Sequence, residues 1–331
     1  DELRKFSLSV LKDIGPDAIS LMGYNIDQLQ KTLNQQLMLS EIHSNSETLM
    51  QNRYTASNHN NRVSQQPIVI CQMGKVGSTS LMTSLKNHSI LNQQIHFLSP
   101  KSIEKTEAYY RNINPSAIPD HLRRSREINE MIANTSPGDK WKIISLVRDP
   151  VARAISSVFQ NMSDLFPGIE NCESVFALDQ IETHLLHQIE EFDESSDFAC
   201  TWFDKELKAV FGFDIFQHPF NKDRGYDIFE SEKADFLIIR TENLTRSCPT
   251  ALKEFLNIES FELSNNNVGR KKPYRKLYKQ LLNNITIPAD TLNRIYGSRF
   301  VRHFYKNSEI ENFKKRWRKS SQPTLSCPSM P

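Results

Sequence analysis

The stretch Pro67–Leu81, PIVICQMGKVGSTSL, decides how the rest of the chain is read. Its first seven residues, PIVICQM, form a short β-branched run of the kind found in a strand buried on both faces of a parallel sheet. Gly74-Lys75-Val76-Gly77 then turns the chain sharply. Its glycines can take backbone angles that other residues avoid, and they leave room for close approach. From Ser78 onward Leu81, Met82 and Leu85 share one face, so a helix starts there. The amides of Val76 to Ser80 would point outward at that helix start. Such a nest, with the helix dipole behind it, attracts an anion such as phosphate. Lys75 adds a mobile positive charge, and Ser78, Thr79 and Ser80 add hydroxyls. The plainer alternative is a glycine turn capped by Ser78, with no ligand.

Outward from this stretch, strands are predicted at Gln94–Leu98 (QIHFL), Trp141–Val147 (WKIISLV) and Asp235–Arg240 (DFLIIR). Helices are predicted across His121–Ala133 and from Val151 to about Ser163. Strands alternating with helices imply an α/β fold with a parallel sheet and right-handed crossovers. The glycine turn is not a Walker A loop, which needs four residues between its glycines and Lys directly after the second. Here Lys75 precedes Gly77, and no clear Walker B Asp ends an apolar strand, so an ordinary ATPase or kinase is disfavoured. Arg148-Asp149-Pro150 follows the WKIISLV strand. Pro150 suits a first helical turn. Arg148 stands at the carboxyl end of its strand, where open α/β sheets bind ligands. Ser156 comes eight residues later, roughly two helical turns on. A surface ion pair of Arg148 with Asp149 is the alternative.

Composition limits the remaining choices. The 331 residues are 38% hydrophobic and carry a net charge of +2, which allows a substantial core and excludes wholesale disorder. No run approaches the roughly 18 apolar residues of a membrane span. Five widely spaced cysteines without a CxxC pair argue against a disulfide scaffold or zinc ribbon. The near-zero charge argues against general nucleic-acid binding. That charge is unevenly spread: Glu170–Glu206 holds eleven acids against Lys205 alone, and Ser264–Lys279 holds six basic residues and no acid. The expected organisation is a helical segment over residues 1–54, a polar linker over 55–66, the main domain over 67–310 and a flexible basic tail over 311–331. The chain begins at Asp1 rather than Met, so a removed leader or anchor stays open; the expected compartment is cytoplasmic.

The GKVGSTS turn and the RDP segment together resemble the sulfotransferases that use 3′-phosphoadenosine 5′-phosphosulfate. The resemblance implies a P-loop-like three-layer fold, with a central, mostly parallel sheet flanked by helices. It implies that Lys75, Val76, Gly77, Ser78, Thr79 and Ser80 hold the 5′-phosphosulfate, and that Arg148 and Ser156 hold the 3′-phosphate. Further segments resemble a bacterial branch concerned with capsular polysaccharide synthesis: Trp202-Phe203-Asp204 with Glu206 and Leu207, FGFDIF (Phe211–Phe216), Arg240–Leu244 (RTENL) and YGSRFVRHFY (Tyr296–Tyr305). The resemblance spans about residues 67–306. By position, Gly269, Arg270 and Lys271 would close over the nucleotide, as a late basic loop does in that superfamily.

Sulfuryl transfer also needs a base for the acceptor's hydroxyl proton, and histidine suits neutral pH. His96 is the first candidate and His121 the second, with Lys75 as the charge-stabilising catalytic residue and Glu127 a lesser option for the base. Some relatives place Glu near the position of Gln94, a departure here. His184, His187 and Glu191 share helical spacing but lie in an acidic, solvent-facing stretch, so no metal is expected. The acceptor implied is a carbohydrate or glycolipid hydroxyl, and the acidic stretch makes a sulfated acceptor less obvious. A non-catalytic nucleotide- or glycan-binding protein of capsule assembly and an ATP-using kinase are the other readings.

Overall fold

Five strands form one sheet in the order β2-β1-β3-β5-β4. They are β1 (Ile68–Cys71), β2 (Asn92–Ile95), β3 (Trp141–Val147), β4 (Tyr226–Glu230) and β5 (Ala234–Arg240). This is a computed structural model, and it describes residues 66–113, 118–166, 175–264 and 274–318. All of these lie in the second of the two units into which the chain divides, residues 66–331. The expected N-terminal segment and nearly all of the linker lie outside the described residues.

β1, β2, β3 and β5 are parallel, and β4 joins β5 antiparallel at the edge. Successive residues of a strand point to opposite faces. Because Ile143–Val147 and Phe236–Arg240 are buried without a break, both faces of the sheet's centre are covered. Among the covering helices, α1 (Ser78–Asn87) packs on β2, as does α3 (Asp120–Ala133), which also packs on α2 (Pro100–Ile113). The architecture is therefore mixed α/β with a mostly parallel five-stranded sheet. β1 leads to β2 on one side, and the chain then crosses to β3 on the other. The carboxyl ends of β1 and β3 flank this reversal, the usual ligand crevice of such sheets.

The second strand covers Asn92–Ile95 rather than Gln94–Leu98, because β1 ends at Cys71 and leaves nothing for residues 96–98 to pair with. Their backbone groups turn to side chains instead. Trp202 Nε1 donates to His96 O at 3.0 Å, and the amides of Leu98 and Ser99 donate to Glu206 Oε2 at 2.6 and 2.8 Å. The helix α4 (Pro150–Gln160) ends before Ser163, and a separate turn of helix covers Met162–Leu165, with α5 (Val175–Glu190) and α6 (Phe198–Phe203) following.

Past residue 240 come α7 (Leu244–Leu256), α8 (Arg275–Asn284), α9 (Ala289–Tyr296), α10 (Arg299–Phe304) and α11 (Asn307–Trp317). α11 runs across the expected boundary at residue 310. The basic residues 314–316 occupy its last turn, where cations favour the negative end of the helix dipole. Trp317 is fully buried, and its Nε1 donates to Asp149 Oδ2 at 3.1 Å. Residues 311–317 are thus part of the folded domain, anchored by Trp317. No helix among the described residues is long and apolar enough to cross a membrane.

Trp317→Ala removes both a buried indole and a hydrogen bond to a buried carboxylate. It should lower unfolding free energy by about 3–5 kcal/mol, as large-to-small core changes do. Urea unfolding followed by far-UV circular dichroism measures this, and a loss below about 1 kcal/mol would contradict the packing described.

Candidate functional site

A cavity of about 640 Å³ opens at the carboxyl ends of β1 and β3. Its wall includes Lys75, Gly77, Ser78 and Thr79 from the glycine turn, His96 from the segment after β2, and Arg148 and Ser156 from β3 and α4. Two segments far apart in sequence are joined directly here, since Arg148 Nη1 donates to Lys75 O at 2.9 Å. Thr241, just after β5, ties the next carbonyl, with its Oγ1 donating to Val76 O at 2.5 Å.

The turn has unusual backbone. Lys75 has φ +74°, a left-handed conformation that costs a residue with a Cβ about 1–2 kcal/mol. Gly77 has φ +85°, and a Cβ there would lie 3.3 Å from Thr241 Cγ2. Gly77 precedes the first turn of α1, Ser78 to Ser80, whose amides find no acceptor in their own helix. Ser78 does not cap the helix. Its Oγ accepts from Gln72 Nε2 at 2.9 Å and from Gln94 Nε2 at 2.8 Å. With both lone pairs occupied, its own O–H proton is left to donate toward the cavity. Val76 and Ser80 have buried side chains and could serve a ligand only through their amides.

His96 is oriented by the end of β1. Its Nδ1 lies 3.0 Å from Gln72 O and 3.3 Å from Gln72 Nε2; the shorter contact is to a carbonyl, which can only accept, and it favours a proton on Nδ1 and a lone pair on Nε2. Burial lowers the His96 pKa from its ordinary value. The bond to Gln72 O opposes this, and the nearby Arg124 and Lys75 charges reinforce it. His121 does not line the cavity, but its ring lies 5.5 Å from that of His96. Its pKa is lowered too, by burial first and then by His96 and Arg124, against a raising effect of Asp120.

The far wall consists of Phe159, Gln160 and residues of α8, namely Arg275, Tyr278, Lys279 and Leu282. Lys75 Nζ rests on Gln160 Oε1. Phe159 packs against Tyr274 and Tyr278 with ring centroids 5.4 and 5.0 Å apart. Among the described residues four cations line the cavity, Lys75, Arg148, Arg275 and Lys279, and no Asp or Glu does. Arg275 and Lys279 were not anticipated as site residues. The basic run 264–279 is the available signal, but the residues expected from it, Gly269, Arg270 and Lys271, lie outside the described residues.

The two acids nearest the strand ends are turned away. Asp149, fully buried, accepts from Val151 N at 3.1 Å, Tyr296 OH at 2.6 Å and Trp317 Nε1. It therefore makes no ion pair with Arg148 among the described residues. Glu242 accepts from Asp149 N at 2.8 Å and from Tyr305 OH at 3.0 Å. Burial raises both carboxyl pKa values, while these donors work in the opposite direction. Arg240, also buried, bonds Glu309 Oε2 at 2.6 Å and the carbonyls of Phe304 and Lys222 at 3.3 and 3.0 Å. His184, His187 and Glu191 gather no metal site; His187 and Glu191 form an exposed pair at 3.6 Å, and no group of three metal-ligating side chains occurs among the described residues.

Residues 178–306 match the family model described as "Putative capsular polysaccharide synthesis protein". The match contains Trp202, Glu206, Arg240, Thr241, Tyr296 and Tyr305. The glycine turn, His96 and Arg148 lie before it. No curated protein and no solved structure matches the chain.

A nuclear magnetic resonance titration of the His96 ring should give a midpoint below 6.5, and Arg124→Gln should move it upward by removing a like charge. A midpoint at or above 6.5 in the unaltered protein would overturn the electrostatics described.

Proposed function

We propose that the protein is a sulfotransferase of P-loop-like fold, moving the sulfuryl group of 3′-phosphoadenosine 5′-phosphosulfate to a hydroxyl of a carbohydrate or glycolipid. The observation that carries this is the convergence of the glycine turn, Arg148 and Ser156 on one cavity lined, among the described residues, by four cations and no carboxylate. That lining suits a ligand with several negative charges and an aromatic base, the latter against Phe159 and Tyr278. Among the described residues it offers no carboxylate to hold the magnesium on which phosphoryl transfer from ATP relies, which favours this reading over the kinase one. The name of the matched family favours a place in capsular polysaccharide synthesis, hence a saccharide acceptor.

In this reading Lys75, the O–H of Ser78 and the first-turn amides face the 5′-phosphosulfate. Arg148 and Ser156 take the 3′-phosphate, with Gly269, Arg270 and Lys271 closing over the nucleotide. The acceptor oxygen attacks sulfur in line, the bond from sulfur to the 5′-phosphate oxygen breaks, and His96 Nε2 takes the hydroxyl proton. Charge grows on the leaving phosphate, where Lys75 and the amides stabilise it. His121, edge-on to His96, is the alternative base.

Calorimetry with adenosine 3′,5′-bisphosphate, AMP and ATP tests the donor assignment. Tightest binding of the bisphosphate, without magnesium, is expected. Magnesium-dependent preference for ATP would sink the proposal, and bisphosphate binding without any transfer would favour the non-catalytic reading. Lys75→Ala should remove transfer with the fold retained, and near-normal turnover would exclude the loop from the chemistry. Arg148→Ala should bring bisphosphate affinity down to that of AMP, a loss of one to two powers of ten for a charge-assisted bond worth about 1.5–3 kcal/mol. An unchanged affinity ratio would remove Arg148 from the site.

His96→Asn should lower turnover by roughly 10²–10⁴ with donor binding unchanged. Because burial depresses the pKa of His96, the unaltered enzyme should stay fully active through neutral pH. It should lose activity only as pH falls through a value below 6.5, when the base becomes protonated. That acidic limb should vanish in the variant. If it persists there and vanishes in His121→Asn, His121 is the base.

A further inference from the structure

Two carboxamides from neighbouring strands converge on one hydroxyl beside the glycine turn. β1 and β2 run parallel, with Ile70 opposite Gln94. Side chains two residues apart leave a strand on the same face, and Gln72 N continues the ladder by donating to Ile95 O at 3.2 Å. Gln72 and Gln94 therefore project from one side of the sheet. Both reach Ser78, the first residue of α1, whose Oγ accepts from Gln72 Nε2 at 2.9 Å and from Gln94 Nε2 at 2.8 Å. Gln72 is fully buried and Ser78 is 5% exposed, yet both line the cavity, as does Gln94.

A hydroxyl oxygen has two lone pairs and one proton. With both lone pairs met, Ser78 can only donate, and among the described residues no acceptor takes its proton. A serine with a spare lone pair would accept as readily as donate, so the two glutamines remove a choice that the turn alone leaves open. The other groups assigned to an anion here also donate: the Lys75 ammonium, the Arg148 guanidinium and the first-turn amides of α1. Such a shell suits an anion whose every oxygen accepts. An anion that keeps a proton has one O–H directed at donors, and a donor left unmet costs about ten- to a hundred-fold in affinity. His96 Nε2 does present a lone pair to the cavity, and in the proposed reaction it is reserved for the acceptor hydroxyl.

We infer that Gln72 and Gln94 are specificity-determining residues: by holding Ser78 as an obligate donor they tune the anion pocket to a tetrahedral oxyanion without a proton, a sulfate or sulfuryl group rather than a protonated phosphate. This deepens the sulfotransferase reading and rests on it for the identity of the natural ligand. The anion preference itself is read without turnover.

Inorganic sulfate and inorganic phosphate are the probes. At about pH 8 they share shape and charge and differ by one proton. Titration of the Gly77 and Thr79 amide signals by nuclear magnetic resonance gives both affinities, and sulfate should bind at least about ten-fold more tightly. In Gln94→Glu a carboxylate that can only accept replaces the donor, so Ser78 turns its proton away and offers the cavity a lone pair. The added charge should weaken both anions, and the preference for sulfate should fall by about ten-fold or more, since phosphate can donate to that lone pair. Gln94→Met removes the donor without supplying an acceptor and should keep most of the preference. Gln72→Glu should act as Gln94→Glu does; if it fails to fold, Gln94→Glu, at a half-buried position, carries the comparison. Equal affinities, a preference for phosphate, binding of neither anion, or an unchanged ratio in folded Gln94→Glu would overturn the inference. Sulfate preference without bisphosphate binding would defeat the donor assignment and leave the anion selectivity standing. Bisphosphate binding and transfer without sulfate preference would do the reverse.

Discussion

The buried carboxylate of Asp149 is the interaction on which the carboxyl end of the sheet depends. One side chain caps α4 through Val151 N and accepts from Tyr296 and Trp317, which come from helices more than 140 residues later. Its own amide donates to Glu242, which in turn accepts from Tyr305. The ends of β3 and β5, α4, α9 and α11 are thus tied through two buried acids whose lone pairs are met by amides, hydroxyls and an indole. Such acids are expensive to bury alone and tolerable when each oxygen has donors. Their neighbours in sequence, Arg148 and Thr241, face the cavity. Alternation along the chain therefore separates the frame from the site: one residue holds the helices, and the next reaches the glycine turn.

The segment matched by the family model supplies much of this frame. Tyr296, Tyr305 and Arg240 brace the strand ends, and Trp202 and Glu206 fix the backbone from His96 to Ser99. From the matched segment, Thr241 and the α8 side of the wall, with Arg275, Tyr278 and Lys279, reach the cavity. The chemistry-bearing side chains come mostly from the part of the chain before the match, and the matched part sets where they stand. The positive lining also follows from this division, because the acids close to the strand ends are committed to buried bonds and only cations remain facing the opening.

Much of this was legible in the sequence, for a physical reason. Parallel strands covered on both faces must be apolar throughout, so β1, β3 and β5 stand out as continuous runs. The edge strand β4, YDIFE, was not read, because it is antiparallel, half-covered and mixed in polarity. Lys75, Gly77, Ser78, Thr79, His96, Arg148 and Ser156 meet at one cavity, as local signals in turns and strand ends suggested. Arg275 and Lys279 reach it only through the packing of α8, which no local pattern encodes. The basic stretch at 314–319 reads as a solvated tail by composition. Its first residues are helical because Trp317 has a buried carboxylate to meet.

Glu206 sits in a single π-helical turn, Asp204–Lys208, between α-helical residues. A π turn accommodates one residue more than an α-helix would. That extra residue aims Glu206 inward at Leu98 N and Ser99 N, at the start of α2. Removing one residue of this turn would restore plain α-helix and change the direction in which Glu206 projects. The carboxylate would leave the two amides, and the segment carrying His96 would lose its lower anchor while Trp202 kept the upper one. Length, rather than composition, is the constraint to expect here: the exposed positions of the turn can vary freely, and an insertion or deletion cannot be absorbed without loosening the segment that carries His96.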